Sequence, residues 1–123
     1  VNETRKILHN DAMRVTATTV RVPVFDSHSE SINVEFEKPF DLDELIEVLK
    51  NAPGVVVQND SAHNEYPMAV TAAGKDEVFI GRIRRDESVE NGVNLWGVAD
   101  NIRKGAATNA VQIAEEIIKA MNE

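Results

Sequence analysis

An imidazole carries protons near neutral pH, and a guanidinium is a rigid fork for carboxylates. The stretch RVPVFDSH supplies one of each, Arg21 and His28, seven residues apart. His28 has oxygen-bearing neighbours, Asp26, Ser27, Ser29 and Glu30, able to fix one tautomer of its ring. It is either a turn histidine with a local hydrogen bond or a general acid–base group, a task suited to a pKa of about 6.5. Arg21 lies between valines and is either on the polar face of a half-buried strand or a bidentate clamp on a carboxylate. In an unbroken strand an offset of seven puts two side chains on opposite faces. Pro23 and the turn after it break that parity, so both groups can converge on one pocket.

Other candidates read more plainly. Glu3 and Lys6 stand at helical i, i+3, where a surface pair is the ordinary outcome. Asn94, beside the only tryptophan, is by residue type a polar residue on a solvated strand face. The run KGAATNA at 104–110 either offers helix-start N–H groups to an anion or lets Gly105, Ala106 and Ala107 pack closely. His9 and His63 stand alone and read as structural. No GxGxxG or GxxxxGK[ST] run occurs, and no His/Asp/Glu set has metal-ligand spacing, so no metal is expected.

These residues need elements to hold them. Residues 2–9 favour a helix weakly, and the β-branched run 14–24 predicts a strand that is an edge or leaves its sheet at Pro23. FDSHSE reads as a turn into a second strand, SINVEFEKP, with Ile32, Val34 and Phe36 on one face, pairing antiparallel with the first. Asp41 caps a helix with Glu44 three residues on, and Leu42, Leu45, Ile46 and Leu49 form its buried stripe until NAPG stops it. VVVQN is a short buried strand, and 58–76 a loop excursion held by Tyr66, Met68 and Val70. EVFIGRIRRD and GVNLWGVAD read as two strands around ESVENG, with Asn91-Gly92 as the turn signal. From Gly105 a long amphipathic helix follows, small at the front and bulky at Ile117, Ile118 and Met121. The order β-β-α-β-β-β-α predicts an α+β domain, a mostly antiparallel or mixed sheet with helices on one face.

The 123 residues suffice for one compact domain. With 42% apolar and 28% charged residues, the composition is that of a globular chain. The net charge of −8 argues against nucleic acid and anionic membrane surfaces as partners, while a local basic cluster can still bind a small anion. The absence of cysteine excludes disulfides, thiolate metal sites and a cysteine nucleophile within this chain. The amino end, VNETRKIL, reads like the middle of a helix, so a piece of something longer is expected.

Taken in order, several stretches resemble the carboxy-terminal part of the bacterial aspartate-β-semialdehyde dehydrogenase family. They are ETRKIL (3–8), VTATTVRVPVFDSHSESINVEF (15–36), APGVVVQND (52–60), YPMAV (66–70), VFIGRIRRD (78–86) and NLWGVADNIRKGAATNAVQIAE (94–115). The R-V-P-V-x-x-x-H spacing and the W-G-V-A-D-N-x-x-K-G-A-A run are specific in combination. Before the histidine the family often has glycine, where this chain has Ser27.

The resemblance implies a carboxy-terminal domain like that of glyceraldehyde-3-phosphate dehydrogenase. It divides the chain into a substrate-binding and dimerisation domain, 1–104, and a helix, 105–123, that packs on an NADP-binding domain outside this chain. It also implies a cytoplasmic homo-oligomer in lysine, threonine and methionine biosynthesis, reducing β-aspartyl phosphate to aspartate semialdehyde with NADPH and releasing phosphate. In that chemistry a cysteine thiolate attacks the acyl phosphate and the thioester accepts hydride. By analogy His28 is the acid–base group, Arg21 grips the substrate α-carboxylate, Glu3 meets its ammonium, Lys6 its phosphate, and Asn94 the nicotinamide end of the cofactor. The cysteine and the dinucleotide fingerprint fall upstream, so the chain alone is expected to be inactive. Two other readings stay open: a non-catalytic α+β ligand-binding or regulatory module, and a related acyl-phosphate reductase with another substrate.

Overall fold

A computed structural model describes residues 2–13 and 15–122. Its centre is a four-stranded mixed sheet in the order β1-β4-β3-β2, where β1 is His28–Glu35, β2 Val55–Val57, β3 Val78–Asp86 and β4 Gly92–Ala99. β1 and β3 pair antiparallel with β4, while β2 runs parallel to β3. The apolar residues of β2, β3 and β4 alternate between two faces. Val55, Val57, Val78, Ile80, Val93 and Leu95 go to one, and Val56, Phe79, Trp96 and Val98 to the other.

The first face is covered by α2 (Leu42–Lys50), as the leucine–isoleucine stripe predicts. Asp41 Oδ1 accepts the Glu44 N–H at 2.9 Å, satisfying one free donor of the first turn, an N-cap contribution of about 1 kcal/mol. Phe36 and Phe40 extend this core with an edge contact, ring centroids 4.8 Å apart, and the Arg85 guanidinium lies over Phe40. On the second face the one-turn α3 (Ala69–Ala72) contributes, through the fully buried Ala72. The expectation of helices on one face thus describes α2, the helix that closes the larger core.

Three local expectations need correction. The strand expected over 14–24 does not form: residues 15–24 join no sheet, and Val20, Val22 and Val24 are exposed. Arg14 lies outside the described residues. β-branched residues set only a propensity, and a strand also needs a partner edge. β1 takes that edge of β4, so the expected antiparallel pair within 14–39 is replaced by β1 against β4. His28, Ser29 and Glu30, expected in a turn, open β1 instead. In 58–76, Tyr66, Met68 and Val70 are exposed, and the anchors are Pro67 and Ala72. Pro67 is held because its carbonyl accepts the Trp96 indole N–H at 3.2 Å and because Gly81 leaves room beneath it. A Cβ at Gly81 would stand 2.4 Å from Pro67 Cδ and 2.1 Å from the Gln58 carbonyl oxygen.

Two helices lie outside this body. α1 (Asn2–Ile7) buries no residue. A wider π-helical turn at Arg103–Ala107 leads into α4 (Thr108–Met121), which also buries none, and Val111, Ile113, Ile117, Ile118 and Met121 stay exposed. Among the described residues no helix is long and apolar enough to cross a membrane.

Candidate functional site

His28 pairs with Ala99 at one end of the β1–β4 ladder, where the apolar cover of α2 no longer reaches. Its side chain shares a face with Glu30 and Ile32, since alternate residues of a strand point the same way. Gly97 and Ala99 of β4 and Val78 and Ile80 of β3 continue that face, and Lys104 and Gly105 close it from the start of the last helix. Together they bound a cavity of about 160 Å³. The floor is apolar and the rim carries one imidazole, one carboxylate and one ammonium. That is a place for a small polar group whose reacting atom needs a proton donor or acceptor. The Lys104 ammonium donates to Gln112 Oε1 at 2.8 Å, which fixes its direction.

The approach to His28 is unusual. Ser27 is buried and takes φ +71°, the left-handed region where glycine is at ease. A glycine would hold this backbone without strain. The Ser27 N–H is accepted by Asn101 Oδ1 at 2.9 Å, while its hydroxyl oxygen is buried with no partner among the described residues.

The turn that carries Asn101 is itself held by Asp100, 6% exposed. Asp100 Oδ2 accepts the Gly74 N–H at 2.7 Å, and Oδ1 accepts those of Ile102 and Arg103 at 2.8 and 3.0 Å. The Gly74 N–H first, then that of Arg103, holds the carboxyl below its ordinary range. Arg103 turns back to Asp76 with a two-pronged contact, Nε to Oδ1 at 2.6 Å and Nη2 to Oδ2 at 3.1 Å. These contacts join the loop before β3, the end of β4 and the entry to α4.

The other expected site residues are not gathered around His28. Arg21 is exposed on the extended segment before β1, not on a strand, and has no hydrogen bond or ion pair among the described residues. Glu3 and Lys6 are exposed on α1, and Lys6 shares a shallow depression with Arg5 and His9. Asn94 faces the opposite side of the sheet from His28. It is five residues from Ala99 in a ladder without a shift, hence on the other face and about 17 Å along the strand. There its Oδ1 accepts from Asn33 Nδ2 at 3.1 Å, beside Asp86. Asp100 and Asn101 fall within the W-G-V-A-D-N-x-x-K-G-A-A run, but neither is among the expected site residues. The signal for them is the Asp-Asn pair between a strand and a helix, a capping signature.

This arrangement of a mixed sheet, an exposed histidine at its end and an unpartnered last helix has known counterparts. Residues 1–104 match the family model described as semialdehyde dehydrogenase, dimerisation domain. The aspartate-semialdehyde dehydrogenase of Aquifex aeolicus is 61% identical over 117 residues, 95% of this chain and 34% of that protein. The one of Legionella pneumophila is 54% identical over 114 residues, 92% and 33%. Among solved structures, aspartate semialdehyde dehydrogenase II from Vibrio cholerae complexed with ASA superposes with a TM-score of 0.83 at 45% identity, covering 95% of this chain and 34% of that one. The chain belongs to the semialdehyde dehydrogenase family, matching its dimerisation domain, and spans about a third of the length of the relatives it resembles.

Proposed function

We propose that the chain is the substrate-binding and dimerisation part, 1–104, with the last helix, 105–123, of an enzyme that reduces β-aspartyl phosphate to aspartate semialdehyde with NADPH and releases phosphate. The observation that carries this reading is the 61% identity to the Aquifex aeolicus enzyme across the segment that contains Arg21 and His28. The exposed apolar stripe of α4 supports an NADP-binding domain as its missing neighbour, and the family description supports a homo-oligomer. The biosynthetic role and a cytoplasmic setting follow from the same likeness.

In this reading His28 does the proton work. The imidazole takes the proton of an attacking thiol, then holds a proton at the oxygen of the thiohemiacetal as that oxygen gains charge. The thiol comes from outside this chain, which has no cysteine. Arg21 clamps the substrate α-carboxylate with two N–H groups, Glu3 pairs with its ammonium and Lys6 with its phosphate. Glu3 and Lys6 on α1 and Arg21 on the segment before β1 are exposed, free to meet substrate and the rest of the enzyme. The cavity beside His28 has room for an acyl group or for the reacting end of a nicotinamide, and not for a whole dinucleotide. The hydride is the cofactor's contribution, and the residues that would hold most of it lie outside this chain. Asn94 is not part of this proposal, because the strand register turns it away from His28.

The test compares the full-length enzyme with its variants in NADPH-dependent reduction of β-aspartyl phosphate. His28→Ala is expected to lower kcat by about 10²–10⁴-fold. Arg21→Ala is expected to raise KM by about 10–100-fold, the loss of a charged hydrogen-bonded pair. The isolated 123 residues should show no turnover, and robust turnover by them would overturn the reading.

A further inference from the structure

We propose that Glu30 is the positioning residue for the His28 imidazole. Its carboxylate takes the N–H of one ring nitrogen, so the other nitrogen keeps its lone pair for the incoming thiol. The inference rests on the reading of His28 as the acid–base group. His28 and Glu30 stand two apart on β1, so their side chains leave the same face. The backbone separation is about 7 Å, a span that long side chains bridge. Both line the cavity of about 160 Å³.

The strand opposite leaves the pair room to meet. The antiparallel register sets Ala99 against His28 and Gly97 against Glu30, so β4 offers only a methyl group and a hydrogen there. A Cβ at Gly97 would already stand 3.5 Å from Ile32 Cδ1 and from Ile80 Cδ1, so the space over this glycine is narrow and apolar.

Few charges compete for the carboxylate. β4 and β3 present no titratable group to the cavity, and the helix start presents only Lys104. The Lys104 ammonium is directed to Gln112 Oε1 at 2.8 Å, and among the described residues no ion pair includes Glu30. The rim is open to water in this chain. An acyl group seated in the cavity displaces that water, and over the apolar floor of Ile32, Val78 and Ile80 the attraction between carboxylate and imidazolium grows. When the ring takes the thiol proton it becomes an imidazolium, and Glu30 stays ionised beside it. Glu30 therefore fixes the tautomer before the transfer and offsets the charge after it, and touches no reacting atom.

Variants of the full-length enzyme test the proposal. Glu30 is exposed, so its replacement leaves the fold in place. Glu30→Leu is expected to lower kcat by about 10–100-fold with substrate KM little changed, since the ring is misplaced and not lost. Glu30→Gln keeps an acceptor for the ring N–H and should recover part of that rate. Both variants lack the charge, so the acidic limb of the kcat profile should move about one pH unit lower in each, which lost packing alone would not do. In a His28→Ala background, Glu30→Leu should cost less than about twofold, because its effect passes through the ring. A kcat within about twofold of the parent in Glu30→Leu, a loss confined to KM, an acidic limb unmoved in Glu30→Gln, or the full further loss in the His28→Ala background would each overturn the proposal. His28→Ala at the parent rate would instead overturn the acid–base reading of His28 itself.

Discussion

The sheet and the arm before it are made from similar residues and have opposite fates. β3 and β4 bury Phe79, Ile80, Ile83, Val93 and Val98, and Val93 is wholly enclosed. The segment 15–26 is as rich in valine and threonine, yet Val20 is 74% exposed, Val22 59%, and Phe25 has no cover at all. What separates them is the availability of partners and not composition. β3 lies between two strands, whereas the arm finds the β4 edge already taken by β1. The residues with the most chemical potential divide the same way. Glu3 and Lys6 lie on α1 and Arg21 in the arm, whereas His28 opens β1 in the body. A site split like this is held half by its own fold and half by whatever the arm and α4 pack against.

The largest test of that contrast is in the core. Gly81→Ala forces a methyl group onto the Gln58 carbonyl and Pro67, neither of which is the end of a flexible side chain, and is expected to cost about 3 kcal/mol. Val93→Ala should cost about 2 kcal/mol as a buried methyl pair is lost. Phe25→Ala, although it removes a whole ring, should change the stability of the isolated chain by less than about 0.5 kcal/mol. Urea midpoints of the three variants decide it. A Phe25→Ala loss as large as that of Val93→Ala would mean that the arm packs on the body and that the contrast is wrong.

The sequence made legible the elements whose signals are local. α2 was announced by Asp41, Glu44 and a four-residue apolar stripe, and its cap forms as expected. β3 and β4 were announced by alternation and the turn between them. What failed depended on competition at a distance. The run around Val20, Val22 and Val24 has strand propensity, but which segment wins the edge of β4 is decided by side chains 60 and more residues away. The candidate site shows the same limit. Residue type makes His28 a candidate, whereas the place of Asn101 depends on a 74-residue separation closing into a 2.9 Å contact. The opposite orientation of Asn94 likewise needed the register of β1 on β4.

The boundary between arm and body runs through Ser27, and its backbone yields a smaller effect. A serine at φ +71° bears strain that a glycine does not, and its hydroxyl is buried with no partner among the described residues. Ser27→Gly should therefore stabilise the chain by about 1 kcal/mol, the reverse of the usual effect of glycine in an ordered segment. Ser27→Ala, which removes the hydroxyl and keeps the strain, should gain less. A Ser27→Gly variant that melts below the parent would show that the left-handed turn costs nothing here and that the hydroxyl has a use.

The smallest expected effect is at the other boundary, where Asp76 and Arg103 tie the body to the entry of α4. Hydrogen bonding to Arg103 lowers the Asp76 carboxyl below its ordinary range, opposed in part by burial. A carboxyl depressed in the folded state contributes stability that is present above its unfolded value of about 3.9 and is lost as pH falls through the folded one. The contact is also half exposed, 45% on the arginine and 43% on the aspartate, so salt screens it. Asp76→Asn should lower the urea midpoint at pH 7 slightly and remove a matching part of its fall below pH 4. In the same variant, ¹⁵N relaxation should report faster motion of residues 108–121 relative to β3, because one of the ties across the entry to α4 is gone. If α4 stays as rigid as the sheet, the helix is docked on the body after all, and the exposed face at Ile113, Ile117 and Ile118 no longer argues for a missing neighbour.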